Sequence, residues 1–457
     1  MTVLRPLGEV ADLVRGIAFP KEDKSYVHRP GDVACLRTTN VQKNVEWDDL
    51  WFVPAKHVKR DDQNVRTGDI LISTANSYEL VGKVAQVMAL PTPATLGAFI
   101  SLIRPKEDVH PKFLYHQLAW GKTQTRIREL SSNTTNISNV STKKLATLKL
   151  IIPSRDEQEL IVSEIETQFS RLDEAVANLQ RVKANLKRYK ASVLKAAVEG
   201  RLVETEASIA QRESRSYETG EQLLQRILDE RKALAKGKRV AVNQPDVVGL
   251  SDCPEGWIWS TCDAAINSID AGASFKCEER PPVLGEIGVL KVSALTWGTY
   301  DENESKTCKD EERIEEKYLV RDGDFLFSRA NTIELVGACV IVGKTIKQLM
   351  LSDKTLRFKL NKNVLPELLQ ICLRCKFGRD EIERLATGNQ ESMRNIGQER
   401  IRQIRISLPP LAEQTRIVAE VDRHLSIIRG VEAEVDANLQ RAQALRQATL
   451  QRAFSQG

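Results

Sequence analysis

The sequence lacks the short motifs that mark most catalytic sites. It has no GxxxxGK phosphate-binding loop, no GxGxxG after a strand, no HExxH zinc motif and no GxSxG nucleophile turn. A methyltransferase-like Asn/Asp-Pro-Pro-aromatic signature is also absent, and the five histidines are scattered without ligand spacing. These absences predict a chain that is not an enzyme and that has no metal site.

Cysteine is scarce in the first half of the chain, where Cys35 is the only one. Eight cysteines in 457 residues do not suggest a disulfide scaffold. Cys372 and Cys375 have the CxxC spacing of a zinc-ligand pair, but no second Cys or His pair lies nearby in the sequence. They fall within an apolar helical pattern, so we interpret them as packed thiols.

Long hydrophobic runs are missing as well. No apolar stretch reaches the length of a membrane span, and the N-terminal residues lack the charged-then-apolar layout of a signal peptide. We therefore expect a cytoplasmic protein. A hydrophobic content of 41% and a charged content of 28% are typical of soluble globular chains, and the length allows several domains. The net charge of +5 permits nucleic-acid binding but does not indicate it.

The chain does have an internal repeat. The segment GDILISTANSYELVG at 68–82 returns 255 residues later as GDFLFSRANTIELVG at 323–337, with ten of the fifteen positions identical. Further pairs, aligned at an offset of 256, are residues 139–153 with 395–409 and Glu157-Gln158 with Glu413-Gln414. Because the offset drifts by only one or two residues, the chain contains two copies of one domain that differ in small loops.

Each globular half is followed, just past a proline, by a long helical pattern. Apolar residues recur at spacings of three and four, which predicts two helices that each pack against another helix. Acidic residues come first and basic residues last in both, which complements the helix dipole. This order of charges also favours antiparallel pairing of the two helices, and antiparallel pairing relates the two halves by a twofold axis. The stripes comprise Ile165, Phe169, Leu172, Val176, Leu179, Leu186 and Val193, and Ile417, Val421, Leu425, Ile428, Val435, Leu439, Ala442 and Leu445.

The predicted fold class is α+β: two similar mixed α/β domains separated by two long antiparallel coiled-coil helices, with pseudo-twofold symmetry. Each domain combines short β-type runs with a helix, near Pro111 in the first and Pro366 in the second. The Lys236–Arg239 run is interpreted as a solvated linker. The expected boundaries are 1–153 for the first domain, 154–202 for the central helix, 203–253 for a connector with a short helix at 219–228, 254–409 for the second domain and 410–457 for the C-terminal helix.

Polar clusters occupy equivalent loops in both halves. Arginine can bind guanine bidentately, amides can pair with adenine, and hydroxyls can reach phosphate. Taken alone, the segment at 73–78 is better explained by an ordinary hairpin whose Asn and Ser satisfy the backbone. Three such clusters on both halves favour binding modestly. The candidate DNA-binding residues are Arg37, Thr38, Asn40, Thr74, Asn76, Ser77, Tyr78, Asn133 and Thr134 in the first half, and Lys291, Ser293, Arg329, Asn331, Thr332, Gln390 and Arg394 in the second.

The repeat and the order domain–helix–domain–helix resemble the specificity (S) subunit of type I restriction–modification enzymes. The resemblance rests on the doubled Gly-Asp-x-Leu-x-Ser-x-Ala-Asn-x-x-Glu-Leu-Val-Gly segment and on the Pro-x-x-x-Glu-Gln-x-x-Ile-Val helix starts. The Pro254-Glu255-Gly256-Trp257 opening of the second half fits too, whereas the first half begins Val3-Leu4-Arg5-Pro6-Leu7 without one.

The resemblance implies two target recognition domains, each reading one half of a split double-stranded DNA sequence, with the paired helices fixing the gap. It also implies a non-catalytic subunit that docks two methyltransferase subunits and, in full complexes, two ATP-driven restriction subunits. S-adenosylmethionine, Mg²⁺ and ATP would belong to those partners, so no cofactor is expected in this chain.

Two other classes fit less well. A coiled-coil adaptor without DNA readout would explain the helices but not two elaborate globular domains. A self-contained DNA-modifying enzyme would need motifs that are absent. Under the favoured hypothesis, positions identical in both copies maintain the fold, bind the DNA backbone or meet identical partners. Different base readout is expected at the positions that differ: Thr74/Arg329, Ser77/Thr332 and Tyr78/Ile333.

Overall fold

The computed structural model describes residues 3–133, 137–234, 243–390 and 393–455. Contacts group the chain into two units, residues 1–181 with 435–457 and residues 182–434. Each unit therefore combines one globular half with the beginning of one long helix and the end of the other.

The first half contains short strands and short helices and leads into a long helix. The strands are β1 (Val3–Pro6), β2 (Ala11–Arg15), β3 (Asp32–Leu36), β4 (Trp51–Pro54), β5 (Ile70–Ser73), β6 (Ala75–Asn76), β7 (Val84–Gln86), β8 (Ala94–Leu96), β9 (Ile100–Pro105), β10 (Ser132–Asn133), β11 (Ser138–Asn139) and β12 (Lys149–Ile152). The helices are α1 (Leu7–Val10), α2 (Pro111–Ala119), α3 (Gly121–Glu129), α4 (Thr142–Ala146) and the long helix α5 (Arg155–Val198).

The connector holds two helices, α6 (Glu206–Glu213) and α7 (Gly220–Leu234). Helix α7 is longer than the helix expected at 219–228. Helix α6 is absent from the sequence-based predictions because it is short and mostly polar; Thr205 caps its N-terminus by accepting the backbone N–H of Ser208. The Lys236–Arg239 run lies outside the described residues.

The second half repeats the order of the first. Its strands are β13 (Ile258–Thr261), β14 (Ile266–Ala271), β15 (Cys277–Glu278), β16 (Ile287–Leu290), β17 (Leu295–Thr296), β18 (Thr299–Tyr300), β19 (Ser305–Cys308), β20 (Phe325–Ser328), β21 (Ala330–Asn331), β22 (Cys339–Ile341), β23 (Gln348–Met350), β24 (Thr355–Leu360), β25 (Thr387–Gln390), β26 (Met393–Asn395) and β27 (Arg405–Leu408). Its helices are α8 (Cys262–Ala265), α9 (Pro366–Arg374), α10 (Lys376–Leu385), α11 (Gln398–Arg402) and the long helix α12 (Leu411–Phe454).

In each half, an antiparallel sheet carries the strand of the repeated segment. Its order is β2-β9-β5-β7 in the first half and β14-β24-β20-β22 in the second. Every residue of β5 and β20 is buried, as expected for continuous apolar runs covered on both faces. A second sheet pairs β3 with β8, and β16 with β23, in parallel. The same strand order in both halves confirms the predicted pair of similar α+β domains.

The long helices run antiparallel, as predicted. In the first unit, Arg452 and Phe454 near the end of α12 line one groove with Leu160 and Ile161 near the start of α5. Further along α5, the guanidinium of Arg446 lies 4.6 Å from the Phe169 ring centroid and pairs with Asp173. Residue numbers therefore fall along α12 as they rise along α5. In the second unit, Tyr189 of α5 contacts His424 of α12, with 2.9 Å between the hydroxyl and Nδ1.

The predicted apolar stripe of α12 needs one correction. Leu445 is 54% exposed, whereas Ala442 and Leu450 are buried. Those two residues and Arg446 line the contact with α5, so the helix turns Leu445 away from it.

A buried glutamine joins each globular half to its helix. Gln158 accepts the backbone N–H of His110 at 2.7 Å and donates to the carbonyls of Asp108 and Pro153. Gln414 accepts the N–H of Leu365 at 3.0 Å and donates to the carbonyls of Asn363 and Pro409. The repeated Glu-Gln pair thus has a structural function at its second position in both copies.

The CxxC cysteines pack as interpreted from the sequence. Cys372 and Cys375 are buried in the main apolar core of the second unit. Burial raises the pKa of the Cys375 thiol, which disfavours the thiolate needed for metal binding.

Candidate nucleic-acid interface

The residues that are identical in both repeats shape the backbone around the candidate interface. Asp69 accepts the N–H of Arg66 at 2.8 Å and two bonds from Arg104, at 2.8 and 2.7 Å. The hydrogen bonds from Arg104 to Asp69 raise the pKa of that guanidinium. Asp324 accepts the N–H of Arg321 at 2.9 Å and a bond from Arg357 at 3.1 Å. Both aspartates hold the turn that begins the central strand.

The backbone conformation explains why the last residue of the repeated segment is glycine in both halves. Gly82 and Gly337 have φ angles of +87° and +81°, in the left-handed region. A Cβ at either position would lie 2.6 Å from Ile127 or 2.7 Å from Ile382. The tight turn after β6 and β21 therefore requires glycine in both halves.

Two of the three polar clusters meet in a small sheet in each half. We name β6, β11 and β10 the first polar sheet, and β21, β26 and β25 the second polar sheet. Asn76 pairs with Ser138 in the first, and Asn331 pairs with Arg394 in the second. Residues about sixty positions apart are thereby placed side by side in equivalent arrangements.

The asparagine amides of the polar sheets are engaged locally. Asn76 Oδ1 accepts the N–H of Ser77 at 2.9 Å, and its amide group donates to Ser73 Oγ at 3.3 Å. Asn331 Oδ1 accepts the N–H of Thr332 at 2.9 Å, and its amide group lies 3.5 Å from Ser328 Oγ. These identical residues shape the turn, as expected for an ordinary hairpin.

The third polar cluster follows a strand of another sheet, β3 in the first half and β16 in the second. Asn40 is 1% exposed; it accepts the N–H of Arg37 at 2.9 Å and donates to two backbone carbonyls. Its amide therefore anchors the loop and has no free group for a base. Arg37 pairs with Asp49 and lies 4.8 Å from the Trp51 ring centroid. Thr38 is half-buried.

The equivalent loop of the second half is also held by internal bonds. Ser293 Oγ donates to Glu304 at 2.5 Å, and the N–H of Lys291 donates to the Glu304 carbonyl at 3.0 Å. The loop continues to Trp297, whose indole donates to the carbonyl of Glu334 at 2.8 Å. This bond connects the loop to the turn that follows β21.

The positions that differ between the repeats differ in exposure as well as in chemistry. Thr74 is 7% exposed, whereas Arg329 is half-buried and lines an open cavity of about 480 Å³ with Asn395 and Arg400. Among the described residues, the Arg329 guanidinium has no hydrogen-bond or ion-pair partner, so it can donate to a ligand.

Of the other two differing pairs, Tyr78/Ile333 also differs in exposure, whereas Ser77 and Thr332 are both half-buried. Tyr78 is 49% exposed, whereas Ile333 is half-buried and its carbonyl accepts a bond of 2.8 Å from Arg379. The backbone N–H of Glu334 and the hydroxyl of Thr332 lower the pKa of the Glu334 carboxyl.

Two further candidates lie on outer or central strands of the polar sheets, Asn133 on β10 and Arg394 on β26. Asn133 is exposed and accepts a bond of 3.1 Å from Ser131. Arg394 donates to the carbonyls of Gly388 and Ala386, so its guanidinium closes the β25–β26 hairpin. Thr134 and the side chain of Gln390 lie outside the described residues.

Two short helices beside the polar sheets carry basic residues that the sequence predictions miss. Lys144 of α4 donates to Ser132 Oγ of the first polar sheet at 3.1 Å, and Lys143 beside it is exposed. The repeat places Glu399 and Arg400 of α11 at these positions. The adjacent lysines just after the polar cluster were the signal that could have identified them.

Within the described ranges, no group of three or more His, Cys, Asp and Glu side chains is arranged to hold a metal ion. None of the helices in that part of the chain is both long enough and apolar enough to cross a membrane.

Comparison with known proteins identifies both halves. The family model described as "Type I restriction modification DNA specificity domain" matches residues 3–188 and 290–437. The type I restriction enzyme EcoKI specificity subunit of Escherichia coli (strain K12) is 26% identical over 459 residues, covering 99% of this chain and 88% of that protein. The StySPI specificity subunit of Salmonella potsdam is 27% identical over 463 residues, covering 98% and 87%.

A solved structure shows the same fold. Its description is "Structural basis underlying complex assembly and conformational transition of the type I R-M system", and its chain has a TM-score of 0.60 at 16% identity, covering 99% of this chain and 97% of its own length. Because the family model spans most of this chain and both of its halves, the chain belongs to the type I restriction–modification DNA specificity subunits.

Proposed function

We propose that each globular half reads one part of a bipartite double-stranded DNA target, and that α5 and α12 set the distance between the two parts. One observation carries this proposal: the polar sheet is built twice on the same glycine, aspartate and asparagine positions, with different residues at the accessible ones. Two polar sheets with the same backbone but different hydrogen-bond donors and acceptors would read different base sequences.

The proposed reading domains are residues 1–153 and 254–409, with spacer helices at 154–202 and 410–457 and a connector at 203–253. The chain itself performs no chemistry. Two methyltransferase subunits, with two restriction subunits in a full complex, supply methylation and cleavage and hold S-adenosylmethionine, Mg²⁺ and ATP. The assembly works in the cytoplasm. Purified alone, the chain should bind its DNA without any nucleotide or cofactor.

The direct test is to sequence methylated adenines in a host that carries this chain with its methyltransferase partner. We expect one motif made of two half-sequences separated by a fixed gap. A contiguous motif, or no motif at all, would exclude reading by two separate domains.

The spacing function has its own test. Inserting four residues into both α5 and α12 adds about 6 Å to each helix, roughly two base pairs of DNA. We expect the methylated motif to gain one or two base pairs in the gap while both half-sequences stay unchanged. Changed half-sequences with a constant gap would show that the helices do not measure the distance.

A further inference from the structure

Two cysteines face each other across neighbouring strands of the second half. Cys277 of β15 and Cys308 of β19 are register partners in an antiparallel pair. The residues next to them are joined by a hydrogen bond, since the backbone N–H of Lys309 donates to the carbonyl of Lys276 at 2.8 Å. Hydrogen-bonded and non-hydrogen-bonded pairs alternate along antiparallel strands. The cysteines therefore form a non-hydrogen-bonded pair, in which the Cα atoms are about 4.5 Å apart and the side chains are closest.

Both thiols lie on the same face of the sheet. Cys308 is buried in a small apolar cluster with Val289 and Met350, and Cys277 packs against the same cluster. A disulfide requires Cα atoms about 4.4–6.8 Å apart and Cβ atoms that are directed toward each other. Partners in a non-hydrogen-bonded pair meet both conditions. The two sulfurs can therefore be joined without a shift of either strand.

The two thiols differ in their access to solvent. Cys277 is half-buried, whereas Cys308 is buried. The Cys277 thiol donates to the carbonyl of Phe275 at 3.5 Å. Burial raises the pKa of Cys277, and the nearby Cys308 raises that pKa further. A dissolved reagent therefore reaches Cys277 first and reacts with a small thiolate fraction.

The first half has other residues at the positions of the two cysteines. Phe52 of β4 pairs with Ser25 and with β3, in the same way that Thr307 of β19 pairs with β15 and β16. One residue further along, the same register places Lys24 opposite Val53. A lysine and a valine therefore stand in the first half where the second half has two facing thiols.

We propose that Cys277 and Cys308 are an oxidation site, at which a low-molecular-weight disulfide converts the two thiols into one intrachain disulfide. The Cys277 thiolate attacks the small disulfide, forms a mixed disulfide and releases one small thiol. Cys308 then loses its proton and attacks the Cys277 sulfur, which breaks the mixed disulfide and releases the second small thiol. The cysteine pair is oxidised by two electrons, and the small disulfide is reduced to two thiols. This site goes beyond the proposed function and does not depend on it.

The bridge ties an edge strand to the strand beside a candidate DNA-reading loop. β15 is two residues long and lies at the edge of the sheet β15-β19-β16-β23. Glu304, just before β19, accepts bonds from the N–H of Lys291 and the hydroxyl of Ser293. A short edge strand opens more readily than the middle of a sheet. The disulfide therefore slows the opening of β15 and leaves the first half unchanged.

The test treats the folded full chain with oxidised glutathione, alkylates the remaining thiols and maps the peptides by mass spectrometry. We expect a Cys277–Cys308 bridge with the loss of two hydrogen atoms, and dithiothreitol should reverse it. Cys253, the other half-buried cysteine, is the internal control and should end as a thiol or as a mixed disulfide. Unreacted Cys277 and Cys308, a lasting mixed disulfide at Cys277, or a bridge from either residue to another cysteine would overturn the proposal.

Two single variants separate the functions of the two thiols. Cys308→Ala removes the second thiol but keeps an apolar side chain in the cluster, so Cys277 should retain bound glutathione. Cys277→Ser removes the accessible thiol, so Cys308 should stay reduced in the folded chain. Equal retention of glutathione at Cys277 in the wild type and in Cys308→Ala would show that the two thiols do not react with each other, and would overturn the site.

Hydrogen exchange measures the effect of the bridge on the fold. In the oxidised chain, the amides of β15 should exchange about tenfold more slowly than in the reduced chain. The amides around Lys24 and Val53 are the matched control in the first half and should exchange at the same rate in both forms. Equal exchange of β15 in the two forms would contradict the tie between β15 and β19.

Discussion

The first and second polar sheets share their backbone but differ in what they offer to a ligand. In the first, Thr74 is nearly buried, and Tyr78 and the lysines of α4 are exposed. In the second, Arg329 at the Thr74 position lies beside an open cavity, and its guanidinium has no partner within the described part of the chain; Ile333 replaces the tyrosine. The repeat therefore separates residues that hold the sheet from residues that differ between the halves, which are the positions proposed for DNA readout.

The two aspartates that hold the central strand are identical in the repeat, but they differ in exposure and in their ion-pair partners. Asp69 has a 2% exposed side chain and is the ion-pair partner of Arg104. Asp324 has an 18% exposed side chain, and its partner Arg357 also pairs with Asp270 at 2.9 Å. Asp12 lies opposite Arg104 as Asp270 lies opposite Arg357, but only Asp270 forms an ion pair with its arginine.

The largest expected effect comes from removing the aspartate of the Asp69–Arg104 ion pair. Asp69→Ala should lower the free energy of unfolding by about 3–5 kcal/mol. The Arg104 guanidinium is mostly buried, and the substitution removes its ion-pair partner. Asp324→Ala should cost about half as much, since Arg357 keeps Asp270. Urea unfolding of the full chain measures both. Equal losses would show that Asp270 does not compensate.

A smaller effect sharpens the comparison of the polar sheets. Arg329→Ala should relax recognition in the second half-sequence only, by about 1–3 kcal/mol of discrimination at one base pair. Thr74→Ala is the matched change in the first half and should alter its half-sequence less, because Thr74 is nearly buried. Binding to oligonucleotides with single substitutions in either half reports both effects. An equal effect of Arg329→Ala on both half-sequences would refute the division of function.

The smallest expected effect concerns pH and one histidine of the first unit. His116 is 3% exposed and lies 2.7 Å from Glu166. Burial lowers the pKa of His116, and the positive charges of Lys112 and Arg446 lower it further, although the hydrogen bond to Glu166 raises it. The unfolded chain then takes up more protons than the folded chain below pH about 6.5. Stability should therefore fall as pH drops through 6, by about 1 kcal/mol at pH 5.5.

The second half offers the control for this pH effect. The repeat places Ile371 at the position of His116, so His116→Ile should reduce the slope of stability between pH 5 and 7; His110, whose pKa burial also lowers, keeps the remainder. Glu166, whose pKa is lowered, loses its contribution only at more acidic pH, below its ordinary range. An unchanged slope in His116→Ile would assign the pH dependence to other groups.

Much of the architecture could be predicted from sequence because local chemistry determines it. The repeat predicted two domains of one fold, and stripes at spacings of three and four predicted two long helices that pair. The stripe failed at Leu445, where the pattern continues but the helix turns the side chain outward. Helix α6 was not predicted because it is short and mostly polar; its first residue, Glu206, contacts Glu413 and Arg416, more than two hundred positions away.

The candidate site was less predictable. Sequence placed three polar clusters on equivalent loops but could not tell which clusters would meet. The structure joins the strand after Ser73 to the strand at Ser138 and leaves the Arg37 cluster after a strand of another sheet. It also shows that Asn40 is hydrogen-bonded within its own loop, whereas no residue in the described ranges pairs with the Arg329 guanidinium.

The sequence by itself determined that this protein is duplicated, that each copy ends in a long amphipathic helix, and that glycine, aspartate and asparagine recur at the same turns. These properties depend on neighbours within a few residues, which the printed order of the chain contains. Only the tertiary structure decided which polar clusters meet in one sheet and which polar groups lack a partner among the described residues. Exposure and pairing depend on segments far apart in the chain, because burial is set by what folds back over a surface.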